Sequence, residues 1–418
     1  MTIAIIGAGA SGMFCAVNLS REHQIDVFEA SKYPLRKVIA SGGGRCNFTN
    51  ENIDTADLSV FYPRGAGSLK KPMRRFGCKQ TREFFANLKV ASKTEDNGRV
   101  FPTCDDSRAI AYALQNTATA NGVKIITNAK VDSISKNDDG KFEVKSGALV
   151  SAYDVVVVAV GGLTDESLKE NFQNLGIKIE PTCPSLFALE LDSAKNATWQ
   201  DMSGISIDDV ELLAQFDDLK KADRKILSHG AMLISHFGIG GPAVLKFSSF
   251  GAKAFNFKNY NFNFTINFAP RFNEELRKKT IIQAREKFAK KHIANAPLFD
   301  LPQKLWSHLL ELSNIPSNTL FASLNKQSEQ TLFKNIFSFQ AHCTGRSTHK
   351  GEFVTCGGIA REEIDFSTMR CKKIDNLFFV GECIDIDAIT GGFNLQSAWT
   401  TAKVCAEALN LSTNISSR

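Results

Sequence analysis

Gly7-Ala-Gly9-Ala10-Ser11-Gly12 follows a short apolar run and opens a helical one. In that setting Gly7 permits a tight turn, Gly9 lets the backbone approach a pyrophosphate, and Gly12 lets helix and strand pack closely. The free N–H groups at the helix start, with Ala10 and Ser11, offer partial positive charge to phosphates. Glu29 ends the second strand, at the distance where an acid accepts hydrogen bonds from a ribose diol. A lone GxGxxG is a weak signal and describes many glycine turns. Strand, helix and acid in the right order make it a dinucleotide-binding fingerprint.

A second segment runs from Lys37 through Ser41-Gly-Gly43-Gly44-Arg45-Cys46-Asn47 to Asn50. Three consecutive glycines do not serve core packing; they free backbone N–H groups for close approach to a ligand. Their place after the second strand is where a flavin's inner half would lie. Cys46 invites a redox reading, but no second cysteine follows within five residues. It reads as a small packing residue beside the cofactor. The third segment is the buried run Val155–Val160 with Gly161-Gly162, and Val131 joins the expected cofactor contacts. The fourth is Gly381-Glu382, Asp385, Asp387, then Gly391-Gly392-Phe393-Asn394-Leu395. There an acidic loop can meet ribityl hydroxyls. The helix opening at Phe393 can face the flavin pyrimidine edge, where negative charge develops on reduction.

On the substrate side, His236 stands before Gly238-Ile-Gly240-Gly241-Pro242, a loop leading into a helix with proline in its first turn. A histidine there can donate a proton, although a lone histidine is more often structural. Cys356 and Arg346 are weaker catalytic candidates.

These residues need elements to hold them. Thr2–Ile6, Ser11–Ser20 and Ile25–Phe28 read as a β-α-β unit of about thirty residues. Ser107–Asn121 reads as a helix, and Lys141–Val144 and Asp154–Val160 as strands. Beyond Pro181 the texture turns to β, and Phe262, Phe264, Ile266 and Phe268 share one face of a half-buried antiparallel strand. Glu274–His292, Pro302–Leu312 and Glu329–Ser338 read as helices. Leu377–Val380 and Phe393–Leu409 restore the α/β pattern. The expected organisation is a first part of an FAD-binding domain over 1–184, a β-rich insert over 185–270, a helical insert over 271–345, and the rest of the FAD-binding domain over 346–418. The expected fold class is α/β, a two-dinucleotide-binding, Rossmann-like FAD domain of the glutathione-reductase type carrying β-rich and small helical insertions.

Composition is that of an ordinary globular protein, with 43% hydrophobic and 22% charged residues among 418. Ten scattered cysteines without a CxxC suit a reduced compartment and give no zinc spacing. The start lacks a basic segment before its apolar run, and no run approaches the ~20 apolar residues of a membrane span. The expectation is a cytoplasmic protein with no metal and no membrane partner. The net charge of +6 is mild, but its placement is uneven. Arg271, Arg277, Lys278, Lys279, Arg285, Lys287, Lys290 and Lys291 oppose three glutamates between Arg271 and His292. Lys70, Lys71, Arg74, Arg75, Lys79 and Arg82 form a second cluster. The ordinary reading of such runs is a solvated helix face; the sharper one is a track for phosphates.

SGGGRCNFTN, Gly98-Arg-Val-Phe-Pro102, His236–Pro242, Val354-Thr-Cys-Gly-Gly358 and Gly381–Gln396 together resemble, in order and over nearly the whole chain, the bacterial BaiN/RdsA-like flavoprotein family, also labelled aminoacetone-oxidase-like. Ala388 and Gly240 depart from the glycine and serine expected there. The resemblance implies an FAD domain interrupted by a barrel-like and a helical domain. It implies hydride transfer through flavin N5, with NAD(P)H as the expected transient donor, since no second GxGxxG is present. The outcomes it suggests are reduction of a conjugated C=C in a small molecule, reduction of uridine to dihydrouridine in ribosomal RNA, and oxidation of an aminoacetone-like amine by oxygen. The basic helical insert tilts this choice toward RNA. A flavin-binding sensor without turnover is the rival of another class, and rapid reduction of bound flavin by NAD(P)H separates the two.

Overall fold

The computed structural model describes the chain except for residues 193–198, 200, 222–223, 348–353 and 417–418. It divides into two compact units, Met1–Cys183 with Val354–Arg418, and Pro184–Phe353.

The first unit is organised by one sheet. Thr2–Ile6 pairs in parallel with Gln24–Phe28 on one side and Val155–Val158 on the other. The sheet continues from Gln24–Phe28 to Lys124–Ile126, and from Val155–Val158 to Leu377–Phe379. Two short antiparallel strands, Ile364–Asp365 and Arg370–Cys371, finish the latter edge. The central strands are uninterrupted apolar runs because parallel sheets are covered on both faces. Helix Ala10–Asn18 packs against Arg108–Ala120 and the C-terminal helix Phe393–Ser416. The antiparallel meander Ser133–Lys136, Phe142–Ser146 and Leu149–Tyr153 links the third parallel strand in the chain to the fourth.

Chain order reverses between Thr2–Ile6 and Val155–Val158. That crevice, at the carboxyl ends of the strands, is where open α/β sheets take their ligands. Its walls meet only because two positions have no side chain. A Cβ on Gly12 would stand 1.9 Å from the Gly7 carbonyl oxygen, and one on Gly7 would stand 2.4 Å from that of Ala159.

The second unit is a closed antiparallel barrel with the strand order Leu189–Leu191, Gly238–Gly240, Lys225–Ser235, Ser206–Gln215, Phe262–Asn267, Phe339–Arg346. Phe262, Phe264 and Ile266 turn into its core, as their alternation predicts, beside Phe247 and Phe255 of helix Pro242–Phe257. The helices Glu274–Lys287, Gln303–Leu312 and Lys326–Phe337 leave the barrel between its last two strands in the chain. Phe339–Arg346, which the sequence reading ran together with those helices, is the strand that closes it. Its own alternation is legible only once Phe262–Asn267 is beside it.

Helices Ala66–Arg75 and Cys78–Asn87 escaped the sequence reading, as did Glu166–Asn174 and the short Arg36–Ala40. The first carries a proline and four cations and buries only Leu69, Pro72 and Met73, so it reads as a charge run. Among the described residues no helix is long and apolar enough to cross a membrane.

Gly12→Ala should lower stability by ~1–3 kcal/mol, the usual cost of an added methyl with nowhere to go. In urea this appears as an earlier midpoint at unchanged slope. A midpoint equal to the parent's would mean the helix moves freely away from the sheet.

Candidate cofactor and active site

The glycine turn and the end of the second strand are tied together directly. Gly7 N–H donates to the Phe28 carbonyl at 2.7 Å. Glu29 Oε2 accepts from Ala8 N–H at 3.0 Å, and Oε1 accepts from the N–H and hydroxyl of Ser31 at 2.9 and 2.7 Å. A carboxylate accepts about four hydrogen bonds, so Oε2 retains room for one more donor. Nothing lies within 4 Å of a Cβ built on Gly9, so the backbone there is open to a ligand.

The four glycine segments converge on this corner. The Lys37 ammonium pairs with Glu382 Oε2 at 2.9 Å, while Glu382 Oε1 accepts from Thr355 N–H at 2.9 Å. A Cβ on Gly161 would sit 3.6 Å from Glu382 and 3.9 Å from Lys37. Ser11 at the helix start donates weakly to the Val380 carbonyl at 3.5 Å, and a Cβ on Gly381 would collide with its hydroxyl at 2.4 Å. Residues 370 positions apart in the chain thus frame one site.

The triple glycine lies beside it. Gly42, Gly43 and Gly44 all have left-handed backbone, with φ of 58°, 68° and 88°. That sequence of angles is what glycine tolerates without penalty. Gly43 and Gly44 face open space. Ser41 donates to Val38 within the turn at 2.7 Å. Asn47 Oδ1 is buried with no donor among the described residues, close to Gly392. Asn394 clamps the loop ahead of its helix through both its amide atoms, each 2.9 Å from Ala388 backbone. Phe393 stacks on Phe61 at 4.3 Å and accepts from the Tyr62 hydroxyl at 2.7 Å through its carbonyl. Leu395 follows in the same first turn. The open Gly9, the left-handed glycines and the orphaned Asn47 oxygen suit a flavin dinucleotide.

Some expected contacts point elsewhere. The Arg45 guanidinium lies over Phe101 at 4.2 Å and binds Glu95 and Asp105, whose hydrogen bonds raise it above the ordinary arginine range. Arg45 therefore staples the glycine loop to its neighbouring hairpin. Asp387 is fully buried and held by both arms of Arg64, itself only 10% exposed. Burial works against the Arg64 charge, but Asp387 outweighs it and the guanidinium is held above its usual range. Arg64 escaped the sequence reading: a single Arg in Pro63-Arg-Gly65 announces nothing until the fold brings the Asp387 loop beside it. Val131 lies in the core of the unit.

Cys46 is buried, and burial pushes its thiol up to about 12, against a lowering hydrogen bond from Ser41. Cys356 is also buried, and hydrogen bonding to Cys183, then burial, hold it well above the usual thiol range. His236 and Arg346 belong to the barrel unit. His236 is exposed in the turn between Lys225–Ser235 and Gly238–Gly240. Arg346 lies 5.6 Å from the Tyr260 ring. No cluster of three metal-ligating side chains occurs among the described residues.

Residues 1–408 match the family described as HI0933-like protein Rossmann domain. The chain belongs to this family. As an HI0933-like protein it is an FAD-dependent oxidoreductase. It is 26% identical over 413 residues to the ribosomal RNA dihydrouridine synthase of Escherichia coli (strain K12), covering 97% of each chain. It is 26% identical over 425 residues to the 3-dehydro-bile acid delta(4,6)-reductase of Clostridium scindens, covering 97% of this chain and 98% of that one. Among solved structures, the 3-ketosteroid-delta4-(5alpha)-dehydrogenase of Rhodococcus jostii RHA1 shares the fold at a TM-score of 0.50, with 12% identity over 98% of this chain and 96% of that one.

Two outcomes follow from this geometry. Asp387→Ala strands a buried guanidinium and should cost ~3–5 kcal/mol. Replacing Arg64 and Asp387 together by Met and Leu should cost distinctly less, and a double loss equal to the sum of the two single losses would show that the pair carries no coupling. Of the ten cysteines only Cys104 is exposed, so native protein should show one fast thiol toward a disulfide reagent in mildly alkaline buffer. Rapid labelling of Cys46 would contradict its burial.

Proposed function

We propose that this chain reduces a conjugated C=C bond, with uridine in structured ribosomal RNA as the substrate, FAD as resident cofactor and NAD(P)H as donor. The observation that carries the reading is the convergence of Gly7–Gly12, Lys37, Gly161 and Glu382 at the carboxyl edge of the sheet, where chain order reverses. The name of a relative matched along nearly its whole length, a ribosomal RNA dihydrouridine synthase, supports the choice of substrate.

In this reading Gly7, Gly9, Ala10, Ser11 and Gly12 hold the pyrophosphate at the start of helix Ala10–Asn18, and Glu29 accepts from the adenosine ribose. Val131 packs on the adenosine side. Lys37, Ser41, Gly43, Gly44, Cys46 and Asn47 line the inner half, with Arg45 bracing their loop. Gly161, Gly381 and Glu382 close over the dinucleotide, and Asp387, held by Arg64, orders the loop that leads to Gly392–Leu395. When bound, FAD supplies hydride transfer through its N5. The chain's part is to orient, exclude water and deliver one proton: hydride goes to one carbon of the double bond and the proton to the other, leaving NAD(P)+ and the saturated product. His236 is the proposed donor, its exposure suiting it to the task better than the buried, upshifted Cys356; Arg346 is the weaker catalytic candidate.

RNA would be held by the helical insert through fewer cations than the sequence count suggests. Arg271 pairs with Asp209, Lys278 with Glu274 and Arg285 with Glu329, and Arg277 lies over Phe337 at 3.7 Å. Lys279, Lys287, Lys290 and Lys291 are exposed and are the proposed phosphate contacts.

The purified protein should be yellow and release intact FAD on denaturation; release of FMN would remove the role given to Glu29. Glu29→Ala should weaken FAD ten- to a hundred-fold, corresponding to ~1.5–3 kcal/mol for a hydrogen bond to a charged acceptor. Cys46→Ser should leave flavin reduction intact. Mass analysis of ribosomal RNA from a deletion strain should show a missing dihydrouridine. Unchanged RNA with an altered small unsaturated metabolite would move the substrate to the class of the bile-acid reductase relative.

A further inference from the structure

Helices Ala66–Arg75 and Cys78–Asn87 carry the second cationic cluster, and its members have different occupations. Arg75 donates to the Ser367 carbonyl and Glu407 at 2.8 and 2.7 Å, and Arg82 is tied to Glu51 and Ser92. Both serve the fold. Lys70, Arg74 and Lys79 are exposed and converge on a cavity of about 450 Å³. Lys70 and Arg74 are four residues apart on one helix face, where like charges repel by a few tenths of a kcal/mol.

Two acids nearby, Asp54 and Asp57, already accept hydrogen bonds from backbone N–H groups. Asp54 lines the cavity, but its two oxygens accept from the N–H groups of Cys78 and Lys79 at 3.0 and 3.1 Å, capping the second helix. Asp57, near Lys70, accepts from the N–H and hydroxyl of Ser59. Buried Leu58, Ile53 and Met73 give the floor an apolar part, beside the polar Asp54, Thr55 and Gln80. A solvated charge run has no need of a cavity backed by three buried apolar side chains.

We propose that this cavity is a binding site for a phosphorylated nucleoside, with Lys70, Arg74 and Lys79 on the phosphate and the apolar part of the floor under the sugar and base. Its volume lies in the range of small-ligand sites, ~300–1,000 Å³. The phosphate has two possible sources, the backbone of an RNA strand or the ester groups of an NADPH molecule. The site does not depend on which double bond the enzyme reduces.

The test uses the FAD-loaded protein and the variant Lys70→Gln/Arg74→Gln/Lys79→Gln, with a fluorescent RNA hairpin and NADPH as separate probes in equilibrium titrations over a salt series. If the strand is the source, RNA affinity falls at least tenfold at low salt, and the salt slope drops by ~0.7–0.9 for each of the three contacts. NADPH binding is then unchanged. If the dinucleotide is the source, NADPH affinity falls and RNA binding holds; loss of both marks one shared site. FAD content and melting temperature should match the parent, and Lys70→Arg/Lys79→Arg, with Arg74 kept, should bind both probes like the parent. Parental affinity for both probes overturns the proposal. Flavin reduction by NADPH in the unmodified protein is measured separately, so failure of the redox reading is recognised apart from failure of this site.

Discussion

The first unit depends on a contact that admits no side chain. At the end of the first strand the chain must turn at once into a helix, and that helix must lie close enough for Gly12 to touch the Gly7 carbonyl. The close approach points the helix N-terminus at the gap between Thr2–Ile6 and Val155–Val158. It also places Ser11 against Val380, so the last parallel strand, entering some 370 residues later, is seated by the same turn that begins the chain. Had Gly12 carried a methyl, the helix would have to retreat, and the N–H groups that meet an anion would retreat with it.

Charge in this unit is arranged around that corner in two ways. Near solvent, Lys37 and Glu382 form a pair whose contribution to stability is small, as is usual for exposed pairs. Its consequence is positional, because Glu382 also accepts from Thr355 and so fixes three segments at one point. Deeper in, Arg64 and Asp387 are matched by two-pronged geometry, which a lysine could not reproduce. A buried pair of that kind adds little net stability over apolar residues. What it does is fix the conformation of the loop that leads into helix Phe393–Ser416, whose start would otherwise be free to shift relative to the glycines at 42–44.

Much of this was legible in the sequence because it is local. The Gly7–Gly12 turn, the apolar strands and the alternation of Phe262, Phe264 and Ile266 follow from period and spacing alone. What was not legible depends on partners distant in the chain. Asp387 looks like a hydroxyl-binding acid until Arg64 is beside it. Arg45, in the middle of the triple-glycine segment, looks like a ligand contact until Glu95 and Asp105 take its guanidinium. Helix Ala66–Arg75 hides because Pro72 and its cations mask a buried stripe of three residues. The barrel closes on Phe339–Arg346, which pairs with strands about eighty and a hundred and fifty residues earlier, and no local pattern announces such a return.

The same distinction applies to the basic clusters, where a count of lysines and arginines overstates what is free to meet a ligand. In the helical insert the arginines are consumed by the fold: Arg277 covers Phe337, and Arg285 holds both Glu329 and the Leu324 carbonyl. In the Ala66–Asn87 helices Arg75 and Arg82 are likewise committed. Arginine's fixed fork and weaker hydration suit it to such internal duties, while lysine keeps a mobile, strongly hydrated charge at the surface. The cations left outward are mostly lysines in both places, joined by Arg74 at the cavity. A strand of phosphates is met by mobile point charges as readily as by rigid forks, since most of that attraction is counterion release and carries little geometry. Arg74 is the exception that a shaped site needs, because its planar fork can address two oxygens of one phosphate.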